Sequence, residues 1–437
     1  MKLFLKILNP MVDYYVREIL SKEYAKNPYI AVTAIQKLGV KNIVEAGMRA
    51  ETGKILARPY GSNIQMSPWD KLLLNPRQLF MFPTPKLSDI NTKTIIGKNA
   101  KKPLVLSMPI MLTGMSYGGS LSFKMAVVLA KSAKIVGTST NTGESTIIKE
   151  VREHSKYVIG QLNRAGLMRE GDLQYLDAIE IQLGQGAWGG AVESTTYVDE
   201  IDARLRKDWR LKRGDDRLFA SRMEGINNKD DLVKLVAKLK ENYDVPIGIK
   251  IAGTNFIEKE LDVITSTNCD YIVIDGCEGG TAVSPPTLED NVGLPTLYSL
   301  IRAVKYLKDN NIKDKFDLII AGGLTNPGHF LKALALGADA VYIGSIALFA
   351  AIHNQAVKTL PDYPPTQLAL NTGTFKDELN INEAAKSLSN FLYSCNEEMK
   401  MALQTMGKET FSELSIDDLV SLDKEISEYT KIDYVLR

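Results

Sequence analysis

The sequence predicts an α/β protein built on an eight-fold β/α barrel, a (β/α)8 TIM barrel. The barrel (103–355) carries an N-terminal helical and extended arm (1–102) and a C-terminal helical cap (356–437). Three observations predict it. From Pro103 onward, short runs suited to buried strands alternate with helical periodicity, the pattern of a parallel sheet. About eight such strands follow in one series, and the second half does not repeat the first, which favours a closed barrel over an open sheet. Nearly every strand run ends in polar residues or glycines, where barrels gather their binding groups.

The elements follow in order. Residues 1–20, MKLFLKILNPMVDYYVREIL, are interrupted by Pro10, Asp13, Arg17 and Glu18 well before the ~18 apolar residues that a membrane span needs. They read as an amphipathic helix docking on the body. The stretch RPYGSNIQMSPWDKLLLNPRQLFMFPTP (58–85) carries five prolines and cannot be one long helix, so it reads as an extended arm. With Tyr60, Trp69, Phe80 and Phe82 it should pack across the barrel or at a subunit contact, which admits a homo-oligomer. Strands are expected at 104–112, 135–139, 178–183, 217–221, 247–252, 271–274, 318–321 and 341–344, the fourth having the shortest apolar core. Amphipathic helices fall between them, at 122–134, 229–242, 256–266, 294–310 and 327–336. Beyond about Ala350 no strand pattern appears, and 382–406 and 416–429 read as helices. Cys395 falls among apolar neighbours there, as a buried structural thiol.

Composition narrows the function classes. With 45% hydrophobic and 24% charged residues the chain is ordinary for a globular protein, and 53 basic against 52 acidic residues give no nucleic-acid-binding surface. Three cysteines without metal-ligand spacing point to a reducing, cytoplasmic compartment and to no disulfide framework. Three histidines cannot build a His-rich metal centre, and no metal is expected.

The organising stretch is DLIIAGGLTNPGHFLKALALGADAVYIGSIA (317–347): two buried strands, one closing on Gly322-Gly323 and the other on Gly344-Ser345. Amides freed at such turns beside a helix N-terminus can form an anion site, where a barrel's last two strands hold a phosphate; the alternative is an ordinary βαβ unit whose glycines only make the turns. Lys250 sits in IGIKIAG, a strand otherwise fit for burial, where an ammonium needs an anionic or strongly polar partner. The N1–C2=O edge of a reduced flavin would be one such partner and Asp275 another. Gln185 could bond the pyrimidine edge of the same ring or satisfy loop backbone. Glu144 could serve proton transfer, hold an ammonium-type nitrogen, or cap a loop. Cys277 lies near these residues with no histidine to activate it.

Several motifs appear together and in order: GMSYGG (114–119), TNTGES (140–145), EIQLGQGA (180–187), IGIKIAG (247–253), DGCEGGTAVSP (275–285), AGGL (321–324) and IGSIAL (343–348). This series resembles the FMN-binding domain of glutamate synthases, in its stand-alone glutamate-synthase-like branch. The likeness extends back through WDKLLLNP and forward to MGKETFSEL. The resemblance implies a barrel that binds FMN and reduces 2-iminoglutarate, formed from 2-oxoglutarate and ammonia, to L-glutamate. It implies that Met115 and Ser116 contact the flavin ring beside Asn141, and that Gln185 and Lys250 face its pyrimidine side. Gly279 and Gly280, Gly322 and Gly323, and Gly344 and Ser345 would line the ribityl-phosphate path, with Glu144 near the substrate nitrogen. Lys250, Gln185 and Glu144 are the catalytic candidates.

Three departures qualify the resemblance. Where the family's loop runs QGAKPGxGG, this chain has QGAWGGAVES, with Trp188 in place of a basic residue that would help hold an oxo-acid carboxylate. Where the family's iron–sulfur cysteines follow the eighth strand, ALFAAIHNQAVKTLPDY has none, so no iron–sulfur cluster is expected. The chain starts with Met1-Lys2 and not with a nucleophilic cysteine, so glutamine hydrolysis is not expected of it. The expected partners are a 2-oxo acid or amino acid and a separate electron donor, a reduced ferredoxin-type protein or NAD(P)H. Two alternatives stand beside this reading: an α-hydroxy-acid or amino-acid oxidising flavoenzyme, and a flavin-binding subunit of a larger complex.

Overall fold

A computed structural model describes residues 2–23, 26–27, 30–282 and 284–436. Met1 of the N-terminal helix and Val283 of the DGCEGGTAVSP motif lie outside the described residues. The chain divides into two compact units, Met1–Ala57 and Arg58–Arg437.

The first unit is helical, with helices Lys2–Ser21, Ile30–Leu38 and Val40–Thr52. The third stops at Gly53, whose left-handed backbone (φ 61°) returns its N–H to the Arg49 carbonyl. Among the described residues no helix is long and apolar enough to cross a membrane.

The second unit holds an eight-stranded, all-parallel sheet. Its strands are β1 (Ile110–Leu112), β2 (Ser139–Asn141), β3 (Tyr157–Leu162), β4 (Ala178–Gln182), β5 (Ile247–Ala252), β6 (Tyr271–Asp275), β7 (Asp317–Ala321) and β8 (Ala340–Ile343). Pairing runs β1-β8-β7-β6-β5-β4-β3-β2. A parallel bridge between Gly114 and Asn141, with the Thr138 hydroxyl donating to the Ile110 carbonyl at 2.6 Å, brings the two ends together. The barrel is therefore nearly closed. A hairpin of Thr94–Ile96 and Leu104–Leu106 plugs its N-terminal end, where Ile96, Leu104 and Leu106 join Met111, Ile159 and Val273 in the barrel interior.

Four expectations need correcting. The run 104–112 is two strands, because Ser107-Met108-Pro109 breaks it, and only its second half belongs to the barrel. The run 135–139 starts too early: helix Phe123–Val136 extends to Gly137 (φ 74°), and the strand is the polar Ser139-Thr140-Asn141. Residues 217–221 are not a barrel strand. Arg217–Phe219 pairs antiparallel with Ser194–Thr196 in a separate hairpin, and the missing barrel strand is β3. The stretch 416–429 is not one helix, because Leu419–Ser421 forms a strand against Leu72–Leu74 of the arm before helix Lys424–Thr430 begins.

Helix Ile381–Thr405 packs on Phe123–Val136 and Ser345–Ile352, and buries Cys395 as expected. The arm meets its expectation in part. Trp69 and Leu72 are buried, but Phe80 is 95% exposed and Phe82 is 70% exposed. The arm's backbone is satisfied by residues 404–409, with Arg77 N–H donating to the Thr405 carbonyl and Thr84 N–H to that of Gln404, so these side chains face outward.

Candidate active site

The C-terminal ends of the strands surround a cavity of about 840 Å³. Every site residue expected from the sequence lines it except Asn141.

On one side the wall is backbone. β7 and β8 stop at the buried apolar residues Ala321 and Ile343 and β6 at the buried Asp275, and the chain then turns sharply through Gly322-Gly323, Gly344-Ser345 and Gly279-Gly280. A Cβ at Gly280 would lie 2.0 Å from the Ser345 hydroxyl oxygen and 3.0 Å from the Tyr60 carbonyl oxygen. One at Gly322, whose φ is 115°, would lie 2.5 Å from the Thr296 hydroxyl oxygen and 2.9 Å from the Gly276 carbonyl oxygen. Helix Ser345–Ile352 begins here with Gly344 as its N-cap and no side chain capping it, while Ser345 and Ile346 line the cavity. Uncapped first-turn amides beside a glycine turn are able to hold a phosphate-sized anion. Glu278 also lines this side, but its oxygens are taken by the N–H groups of Met66, Ser67 and Thr296 at 3.0, 2.7 and 3.1 Å, so it ties the arm to a helix start. His329 stacks on Trp69, and burial pulls its imidazole below the usual histidine range. Packing is its role there.

Across the floor, Lys250 of β5 is 2% exposed, with its Nζ 2.9 Å from Asp275 Oδ2 and 3.4 Å from the Thr113 hydroxyl. Asp275 is thus the partner the sequence reading held as one alternative. Burial alone would pull the ammonium down. The carboxylates of Asp275, Glu180 and Glu144 outweigh it and hold Lys250 above the usual lysine value, so it is a cation at neutral pH.

The other side is built from paired side chains. Glu180 of β4 is fully buried and collects donors from three other strands: Gln161 Nε2 of β3 at 2.7 Å, Asn141 Nδ2 of β2 at 3.1 Å and the Tyr342 hydroxyl of β8 at 2.9 Å. Asn141 also accepts the Gly143 N–H at 2.9 Å, so it lies one layer beneath the cavity as a support. Gly143 (φ 59°) presses on the Met115–Ser116 backbone, where a Cβ would come within 2.7 Å of the Ser116 nitrogen. This holds the loop after β1 flat against the cavity. Glu144 is gripped by Arg164, with Nε to Oε1 at 2.7 Å and Nη2 to Oε2 at 3.3 Å, a two-point pair that is almost dry. Arg164 Nη1 also donates to the Val192 and Ala220 carbonyls, fastening both ends of the hairpin that overhangs the cavity. The Trp188 ring lies 5.9 Å from the Arg164 guanidinium carbon, and its Nε1 donates to Thr281 Oγ1 at 3.1 Å. Gln185 pairs with Gly190 through its backbone, and its side chain accepts from Gln182 Nε2 at 3.5 Å.

Sequence reading missed Gln161, Arg164 and Glu180. The first two follow from overlooking β3. Glu180 carried a usable signal, a carboxylate at the centre of the apolar run AIEIQ. Cys277 is buried against Met66, and burial pushes its thiol up to about 11, so it is inert at neutral pH. All three cysteines are buried and free, and among the described residues no group of three His, Cys, Asp or Glu could hold a metal ion.

The family model for the conserved region in glutamate synthase matches residues 63–409. A glutamate synthase large subunit-like protein of Rhizobium meliloti (strain 1021) is 30% identical over 436 residues, covering 93% of this chain and 96% of that protein. The archaeal-type glutamate synthase (NADPH) of Thermotoga maritima is 32% identical over 328 residues, covering 69% of this chain. The chain spans 64% of that relative's length. Among solved structures, a mutant flavocytochrome b2 with sulfite bound superposes with a TM-score of 0.53 at 14% identity, covering 82% of this chain and 80% of that one. A mutant of a chimeric (S)-mandelate dehydrogenase gives 0.51 at 14% identity, covering 80% and 88%. These two share the fold.

Proposed function

The chain belongs to the glutamate synthase family, and from that premise we propose that it is an FMN-dependent oxidoreductase reducing the imine of a 2-oxo acid. In the family's reaction 2-oxoglutarate plus ammonia gives L-glutamate. One observation carries the proposal: an uncapped glycine cradle and a buried, charge-balanced lysine open on the same cavity. Bound FMN would supply the hydride.

The chain's own residues supply the rest. The amides at Gly323, Gly344 and Ser345 would hold the phosphate, and the backbone of Gly279 and Gly280 leaves room for the ribityl chain. Met115 and Ser116 would bear on the ring, and Gln185 on its pyrimidine edge. Lys250 would place a positive charge at the edge that becomes electron-rich, with Asp275 holding its ammonium in position. Glu144, oriented by Arg164, lines the cavity and is the candidate carboxylate to position the substrate nitrogen or pass it a proton. Electrons would come from a ferredoxin-type protein or NAD(P)H.

The test is to load the purified protein with FMN, reduce it anaerobically, and add 2-oxo acids with ammonia. Reoxidation of the flavin is expected. A protein that takes up no FMN, or whose reduced flavin is indifferent to every such pair, refutes the proposal.

A further inference from the structure

The charged groups around the cavity bear on which oxo acid it accepts. Among the described lining residues there are four carboxylates (Glu144, Glu200, Asp275, Glu278) against two cations (Lys250, Arg164), a formal balance of −2. A dicarboxylate substrate would add two further negative charges, so what matters is whether either cation is at liberty. Lys250 is committed to Asp275 at 2.9 Å. Arg164 gives two N–H groups to Glu144 and Nη1 to the Val192 and Ala220 carbonyls, which leaves it at most one N–H of the five a guanidinium carries. Withdrawing it further would strip Glu144 of its counter-ion in a nearly dry setting, which is unfavourable. One substrate carboxylate can thus be met, by that single N–H together with the hydroxyls of the overhanging hairpin. A second would face the Trp188 ring with no unengaged cation left among the described lining residues.

Building on the flavin-dependent imine reduction proposed above, we infer that this site selects 2-oxo acids, or their imines, bearing one carboxylate and an uncharged remainder, and that Trp188 is the residue that excludes a second carboxylate. The indole fills the wall beside Arg164, and its only polar atom is already spent on Thr281.

The experiment compares 2-oxoglutarate with 2-oxovalerate, which has the same carbon chain and lacks the second carboxylate. Each is titrated into FMN-loaded protein, with the dissociation constant read from the flavin difference spectrum. Tighter binding of 2-oxovalerate by at least about tenfold is expected. Trp188→Lys, which adds an unengaged cation, is expected to narrow or reverse that ratio. Wild-type protein that binds 2-oxoglutarate as tightly as 2-oxovalerate, or binds neither, overturns the inference even if the variant fails to fold. Failure to take up FMN would instead count against the proposed function. Calorimetric titration of the apoprotein with the same two acids would then decide the preference by itself.

Discussion

Strands β6 to β8 and strands β2 to β4 end on the same rim but finish it with different materials. After β6 to β8 the wall is glycine and amide, shaped by positive φ angles and by approaches too close for a side chain. After β2 to β4 it is a set of mutually satisfied side chains: Glu180 with its three donors, and Glu144 in the fork of Arg164. A backbone wall offers the same donors whatever the surrounding side chains, which suits a group common to many enzymes, such as a phosphate. A wall of paired side chains has a charge balance that one substitution can shift, which suits discrimination. On the proposed function, the cofactor's phosphate and the substrate would be handled by opposite halves of one barrel.

Lys250 lies where the halves meet, and its loss should have the largest effect. Lys250→Met leaves Asp275 buried without a cation and should lower stability by about 3–5 kcal/mol in urea unfolding, with K250M/D275N recovering most of it. The sign with pH follows from the raised folded-state value. The lysine's contribution is fully present below its ordinary pKa and fades only as pH climbs through the raised one, so the wild-type advantage should be flat between about pH 6 and about pH 9.

Next is Gly322→Ala, which puts a side chain at φ 115° and 2.9 Å from a backbone oxygen. A loss of about 3 kcal/mol in stability, with at least about tenfold weaker FMN binding, is expected by melting and by fluorescence quenching. If FMN affinity is unchanged, the phosphate does not sit in the glycine half. Glu180→Gln should be milder, about 2 kcal/mol, because an amide nitrogen replaces one acceptor and leaves a buried donor unmet. FMN affinity should hold there, since Glu180 supports the other half. Arg164→Lys, which loses the two-point grip, should cost about 1 kcal/mol and speed amide exchange at 192–196 and 217–220. Cys277 should resist iodoacetamide at about pH 8 in the folded protein, because its thiolate appears only near a pKa of about 11.

The same contrast explains what could be read from the sequence. β5 to β8 are largely apolar runs followed by glycines, with Lys250, Asp275 and Asp317 as their charged residues, and the sequence pattern matches them nearly residue for residue together with the cavity residues at their ends. β2 is Ser-Thr-Asn and offers no apolar signal. β3 carries Gly160 and Gln161 because Gly160 is pressed on Leu176 and Gln161 serves Glu180, so its pattern is diluted by its duties. Arg217–Phe219 has strand character but pairs outside the barrel, which local pattern cannot reveal. Lys250 stood out as a charge among apolar neighbours. The grip of Arg164 on Glu144 did not, because it joins two strand ends whose adjacency is known only once the barrel closes. The family's pattern pointed to the glycine half of the site and to Trp188, while the charge balance around that ring depends on which side chains the closed barrel brings together.

The hairpin of Ser194–Thr196 and Arg217–Phe219 shares no ladder with the eight-stranded sheet. Apart from Phe219, which is buried in the core, its residues can therefore change without breaking a hydrogen bond of the barrel ladder. A descendant could acquire a new diet by redrafting this ribbon while inheriting the redox machinery intact, and the Arg164 contacts to its two carbonyls are where such a change would first be felt.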